Sequence, residues 1–120
     1  MTTNIEAPAG GVVVHLDEAD PAKHESVLTN IANLRDELGD TTPIELVVHG
    51  PGLAAALAGG PVADHLNRLI NHGIEVAACA NTLRAKNLSP DRLVVGVRVV
   101  PAGIAELVRR QRAGWAYVRP

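Results

Sequence analysis

Hydrophobic positions along the chain fall into two patterns. Short, nearly continuous apolar runs alternate with longer stretches in which apolar residues recur every three or four positions. The short runs are residues 11–16, 43–49, 74–79, 94–100 and 115–118, mostly rich in Val and Ile and bounded by turn residues. Such runs predict strands buried on both faces. After the first, Asp20-Pro21 supplies an N-cap and a first-turn proline. Val27, Leu28, Ile31, Leu34 and Leu38 then follow at helical spacing as one predicted buried stripe, with Gly39 as the stop.

The same reading predicts a short helix over residues 53–58, broken by Gly59-Gly60-Pro61. A second helical segment over 62–72 carries Val62, Leu66, Leu69 and Ile70 on one face, and Gly73 ends it. Residues 82–86 read as a short helix, and Ser89-Pro90-Asp91 opens a further helical turn. Pro101 opens the last helix, with Ile104, Leu107 and Val108 as its stripe and Gly114 as its end.

Strands alternating with helices across the whole length predict βαβ units. The expected fold is α/β, a single-domain, mainly parallel sheet of about five strands flanked by helices. Residues 1–10 are expected to form a flexible N-terminus and 11–120 the domain, since no linker, repeat or composition shift divides the chain. Apolar residues make up 47% of the 120, but Phe is absent and Trp115 and Tyr117 are the only aromatics. The core must therefore be built of Val, Leu, Ile and Ala, which suits parallel strands covered by helices.

The formal net charge is −2, from 11 basic and 13 acidic residues, too balanced for a strong field toward nucleic acid or an anionic membrane. A single cysteine excludes an intramolecular disulfide and fits a reducing compartment. The start of the chain has neither the form of a signal peptide nor that of an anchor. No stretch approaches the ~18 apolar residues that span a bilayer. A cytoplasmic protein with no nucleic-acid or membrane partner is expected.

In an open parallel sheet, reactive groups gather beyond the carboxyl ends of the strands. Those ends carry His15, His49-Gly50, Cys79-Ala-Asn81 and Val100-Pro-Ala-Gly103. Cys79 stands just before a short helix opened by Asn81 or Thr82, whose free amides would stabilise a thiolate. Free cysteines also pack as small buried hydrophobes, and position alone leaves both readings open. His49, followed by Gly-Pro-Gly, is either a base or ligand contact or a capping residue in a tight turn. His15 lies inside an apolar strand and reads as a hydrogen-bonded core histidine. His24, His65 and His72 fall on helices and read as surface or interface residues.

Several chemistries are not supported. No His, Cys and acid cluster has ligand spacing, and Cys79 would need His15 and His49 to converge on it, so neither a metal nor a cofactor is expected. Gly50-Pro51-Gly52 matches neither phosphate-loop pattern. Ser26 and Ser89, the only serines, are accounted for by a helix and a cap. Arg109, Arg110 and Arg112 near the end of the last helix complement its dipole. Trp115 and Tyr117, two apart on one strand, point to one face and form either an interface or the end of the core.

The segments His15-Leu-Asp-Glu-Ala-Asp-Pro21, Glu45-Leu-Val-Val-His-Gly-Pro-Gly52 and Ala77-Ala-Cys-Ala-Asn-Thr-Leu-Arg84 resemble the DsrE/DsrF-like family. So does the ending from Val99-Val-Pro-Ala-Gly103 through Gly114-Trp-Ala-Tyr-Val-Arg-Pro120. The resemblance spans nearly the whole chain and matches the branch of small stand-alone members. It implies a YchN-like fold with flavodoxin-like layering, assembled as homo-oligomers, trimers or hexamers. It further implies intracellular sulfur relay, in which a cysteine at the position of Cys79 accepts a persulfide in a sulfurtransferase-like step, from a donor protein and toward an acceptor. On that reading the amides of Asn81 and Thr82 stabilise the thiolate, and His15, His49 and Gly50 shape the pocket. The alternative is a non-catalytic oligomeric protein that binds a small ligand at the strand edge or between subunits. A third reading is a structural subunit docked through Trp115 and Tyr117.

Overall fold

The computed structural model describes residues 10–120. The expectation of a flexible segment over 1–10 therefore falls, Gly10 apart, outside the described residues. The chain runs β1 (Val12–Leu16), α1 (Pro21–Leu38), β2 (Ile44–Val48), a 3-10 segment (Gly50–Ala56), α2 (Ala63–Asn71), β3 (Glu75–Cys79) and α3 (Ala80–Ala85). A 3-10 turn (Pro90–Arg92), β4 (Arg98–Val100), α4 (Gly103–Arg112) and β5 (Ala116–Val118) complete it. The five strands form one sheet in the order β4-β3-β2-β1-β5, every pair parallel.

Alternation along the strands sends side chains to two cores. Val12, Val14, Leu16, Ile44, Leu46, Val48, Val76 and Ala78 pack beneath α1, α2 and the 3-10 segment. Val13, Val47, Ala77 and Val100 form a smaller core with Leu107 of α4, closed at one end by Trp115. Leu83 of α3 belongs to the first core and Leu107 of α4 to the second. The chain thus leaves β3 toward one face and β4 toward the other. That divergence opens the crevice at the carboxyl ends of two neighbouring strands where α/β sheets hold ligands.

The first helix starts as the sequence predicts, with Asp20 Oδ1 accepting from the Ala22 amide at 2.9 Å. Its stripe is shorter than predicted: Val27, Leu28 and Ile31 are buried, Leu34 is half-buried and Leu38 is 44% exposed. A helix of 18 residues is ~27 Å long, whereas strands of five residues span ~17 Å, so its last turns outrun the sheet. His24, expected at the surface, is buried, and its Nε2 donates to the Glu18 carbonyl at 2.5 Å. It lies one turn before Val27 and Leu28 on the inward face. His65 is half-buried and pairs with Glu25 across α2 and α1 at 2.6 Å, while His72 is exposed.

The segment after β2 is 3-10 from Gly50 to Ala56 rather than a helix over 53–58, and Leu57 bridges Leu93 instead of extending it. The apolar run 94–100 yields a strand only at Arg98–Val100, because Gly96 turns the chain at φ +98° just before it. In α4 only Leu107 of the predicted stripe is buried; Ile104 is 55% and Val108 40% exposed. The helix turns Gly103, Glu106 and Leu107 inward instead, because beneath it lies Glu45, a fully buried carboxylate.

Glu45 accepts from Arg98 Nη2 at 2.6 Å and from Arg110 Nε at 3.0 Å, and Arg110 also reaches Glu106 at 3.2 Å. Arg110 lies over the Trp115 ring at 4.1 Å as well. A buried carboxylate persists only when its charge is met or removed. Arg110 is therefore a core counter-ion and not simply a partner of the helix dipole.

Candidate functional site

The sheet register dictates which side chains meet at the carboxyl edge. His15 is paired with Val47, and His49 lies two residues beyond Val47 on the same face. Asp17 follows His15 by two and Cys79 follows Ala77 by two, so all four project toward the α4 side. Tyr117, registered against Val13, lies on that side too.

Cys79 is the last residue of β3 and the N-cap of α3, which begins at Ala80, one or two residues earlier than the sequence suggests. Its neighbour across the register is Val100, the last residue of β4, so Cys79 stands in the crevice where the two chain paths diverge. Burial leaves Cys79 only 5% exposed. That burial by itself raises the thiol pKa, but the nearby Thr82 hydroxyl and the amides of Gly103, Thr82 and Asn81 favour the charged sulfur, and the net shift is downward. The amides come from the amino ends of both α3 and α4. Gly50 N–H in turn donates to Thr82 Oγ1 at 2.8 Å.

Gly103 permits this approach. A Cβ there would stand 3.1 Å from His49 Cβ, 3.3 Å from Cys79 Cβ and 3.4 Å from Val47 Cγ1. Gly52 serves a similar end, since a Cβ would lie 2.2 Å from the Leu16 carbonyl oxygen. Gly52 therefore lets backbone approach backbone, a role that the sequence leaves open to a ligand, whereas Gly50 meets no neighbour and instead holds a φ of +54°.

His15 and His49 meet through their Nε2 atoms at 2.6 Å. Ring centroids 4.8 Å apart and an interplanar angle of 17° make this an edge-to-edge, nearly coplanar contact. His15 Nδ1 is hydrogen-bonded to the Tyr117 hydroxyl, also at 2.6 Å. Burial, and secondarily the proximity of His49, lower the His15 pKa, which keeps its ring neutral. Asp17 Oδ2 lies 3.9 Å from His15 Nε2, while Oδ1 accepts from Arg119 at 2.9 Å.

The structure thus brings Cys79, Thr82 and Gly50 together at the end of β3, and His15, His49 and Tyr117 together across the ends of β2, β1 and β5. Asn81 contributes its amide; its side chain pairs with Arg84 at the surface. Trp115 closes the second core rather than joining the site. The sequence shows no ligand spacing, yet the fold brings ligand atoms of His15, Asp17 and His49 within 4.8 Å of one another. The cluster does not converge on Cys79, the route the sequence argument had weighed. The sequence places Gly103 at this edge but not against Cys79, and reads Tyr117 as an interface or core residue, because neither neighbours Cys79 or His15 in sequence. A separate apolar cleft of about 240 Å³ lies on the opposite face of β1, lined by Val14, Asn30, Ile31, Leu34, Val118 and Pro120.

The sequence profile of the DsrE/DsrF-like family matches residues 12–120. Among solved structures, a protein of unknown function, MTH1491 from Methanobacterium thermoautotrophicum, is 35% identical with a TM-score of 0.88, covering 92% of this chain and 99% of that one. The ychN protein of E. coli aligns at 17% identity and a TM-score of 0.79, covering 92% of this chain and 99% of its own. BT1422 of Bacteroides thetaiotaomicron, a conserved protein of unknown function, aligns at 14% identity and a TM-score of 0.77, covering 96% of this chain and 100% of its own. No curated protein matches the chain. Among the described residues, no helix is long and apolar enough to cross a membrane.

Proposed function

The chain belongs to the DsrE/DsrF-like family, and on that premise we propose that Cys79 carries sulfane sulfur as a persulfide in a cytoplasmic sulfur relay. The observation that supports this reading most is the place of Cys79 at the amino ends of both α3 and α4, where the Thr82 hydroxyl and the amides of Asn81, Thr82 and Gly103 favour its thiolate. The thiolate attacks the outer sulfur of a donor persulfide; that S–S bond breaks, the donor leaves as its own thiolate, and Cys79 retains the persulfide. The same donors that stabilise the Cys79 thiolate stabilise a persulfide anion at its place. Because Cys79 is nearly buried, the donor must present its sulfur from the crevice between β3 and β4, with His49 beside the path.

On this reading the chain works as a homo-oligomer, a trimer or hexamer, and Tyr117, Val118 and the exposed face of α4 offer apolar surface for assembly. A donor and an acceptor protein complete the relay, and no cofactor is required.

The test is intact-mass analysis of native protein after incubation with a small persulfide donor. A gain of one sulfur atom, absent from Cys79→Ser, is expected. A native thiol that titrates yet takes up no sulfur sinks the proposal.

A second reading, non-catalytic binding of a small apolar ligand, draws on the cleft beside Val118. It predicts ligand affinity unchanged in Cys79→Ala and lost in Leu34→Asp.

A further inference from the structure

Independently of any role for Cys79, we propose that His15, His49 and Asp17 form a site for one divalent transition-metal ion of the zinc, cobalt and nickel class. The ligand atoms are His15 Nε2, His49 Nε2 and a carboxylate oxygen of Asp17, gathered within 4.8 Å. Two imidazoles and a carboxylate are the donor set that borderline divalent ions take in three-ligand sites, with a further position left for water or a ligand.

The sheet itself builds the site. His15 and Asp17 are two apart along one strand and its extension, and His49 is two beyond the residue registered against His15. Period-two alternation puts all three on one face at one edge, so convergence needs no loop rearrangement. The Nε2 atoms already lie 2.6 Å apart. Metal–nitrogen bonds of about 2.0–2.1 Å at a tetrahedral angle require a wider separation and ring axes turned out of their present line, so the half-buried His49 ring must rotate on binding.

The surrounding contacts orient the ligands as a metal site requires. The Tyr117 hydroxyl holds His15 Nδ1, which leaves Nε2 as the ring nitrogen turned toward His49. Arg119 holds Asp17 Oδ1, which leaves Oδ2 turned toward His15. Asp17 and His49 are half-buried, so one side stays open for entry.

The test titrates chelator-stripped protein with Co2+, read by its visible spectrum, and with Zn2+ in competition with a chromophoric chelator. One ion per chain is expected, with imidazole and carboxylate ligation and no thiolate-to-cobalt charge-transfer band. His49→Gln, at a half-buried position that tolerates an amide, should abolish the signal. Tyr117→Phe should weaken binding roughly tenfold to hundredfold through loss of the contact that orients His15. Cys79→Ser and His65→Ala should leave it unchanged. The proposal is overturned by binding no tighter than in His49→Gln, by a thiolate band lost in Cys79→Ser, or by a signal that disappears with His65→Ala. Circular dichroism and thermal melting of each variant separate loss of the site from loss of the fold.

Discussion

Gly103 lies directly over Cys79: a Cβ on the glycine would stand 3.3 Å from the cysteine Cβ, with His49 Cβ at 3.1 Å on the other side. The first turn of α4 can deliver its amide to the sulfur only because that side chain is missing. Gly103→Ala must therefore push the helix start away from rigid strand atoms. The expected result is a loss of about 1 kcal/mol of stability, typical of mild overpacking. The apparent thiol pKa should also rise, measured by reactivity with an alkylating reagent against pH. An unchanged thiol profile would mean that the Gly103 amide does not act on the sulfur.

Thr82 performs two tasks with one hydroxyl, donating to Cys79 and accepting from Gly50. Thr82→Val keeps the shape and removes both bonds, leaving the Gly50 amide without its partner. We expect the thiol pKa to climb and stability to fall by about 1–2 kcal/mol. Thr82→Ser should restore most of the thiol effect. Equal reactivity of the Val and Ser variants would argue against the hydroxyl.

Gly52 controls how closely the 3-10 segment can approach β1. A Cβ there would meet the Leu16 carbonyl oxygen at 2.2 Å and Asp17 Cα at 2.9 Å, both backbone atoms that cannot step aside. Gly52→Ala should cost about 3 kcal/mol or more, at the severe end for overpacking, and displace the strand end that carries His15 and Asp17. Thermal unfolding supplies the measurement, and a shift of only a degree or two would contradict the close approach.

Glu45 gives the protein a distinctive pH response. Burial, followed by a hydrogen bond shared with Glu106, raises its pKa from 4.5 to about 7 despite Arg110. Folded protein therefore holds a proton between those values that the unfolded chain releases. The stability this group provides is complete below about 4.5 and is lost as pH rises through about 7. Glu106 is shifted downward, with burial opposed by the Glu45 hydrogen bond and by Arg110, Arg98 and Arg109. Its contribution has the opposite sign, present above the ordinary carboxylate range and lost at more acidic pH. Between pH 5 and 8 the wild type should lose roughly 1–3 kcal/mol that Glu45→Gln, fixed in the neutral form, does not lose. Parallel denaturation curves for the two proteins across that window would refute the shared proton.

Much of the fold was legible because burial and backbone geometry leave local marks. The Asp20-Pro21 start and Gly39 end of α1, the apolar runs of β1 to β3, and the glycine and proline breaks between them all record constraints that act within a few residues. Legibility failed where distant residues decided the outcome. His24 looks like a surface histidine until the Glu18 carbonyl folds over it. The α4 stripe of Ile104, Leu107 and Val108 obeys helical spacing, yet the helix is rotated by the need of Glu45 for Arg110. The same limit applies to the site, where Cys79, His15 and His49 could be placed at strand ends but not against one another.

Sequence alone determined an α/β chain of five strands and the edge on which its reactive groups fall, since period-two and helical patterns and turn residues are properties of neighbouring positions. Tertiary structure alone decided that α4 crosses to the other face and brings Gly103 onto Cys79. It also decided that β5 closes beside β1 and carries Tyr117 to His15, and that adjacent register sets His15 against His49. The physical reason is strand order: contacts between residues separated by 34 or 102 positions depend on which strands pair, and local propensity does not encode pairing.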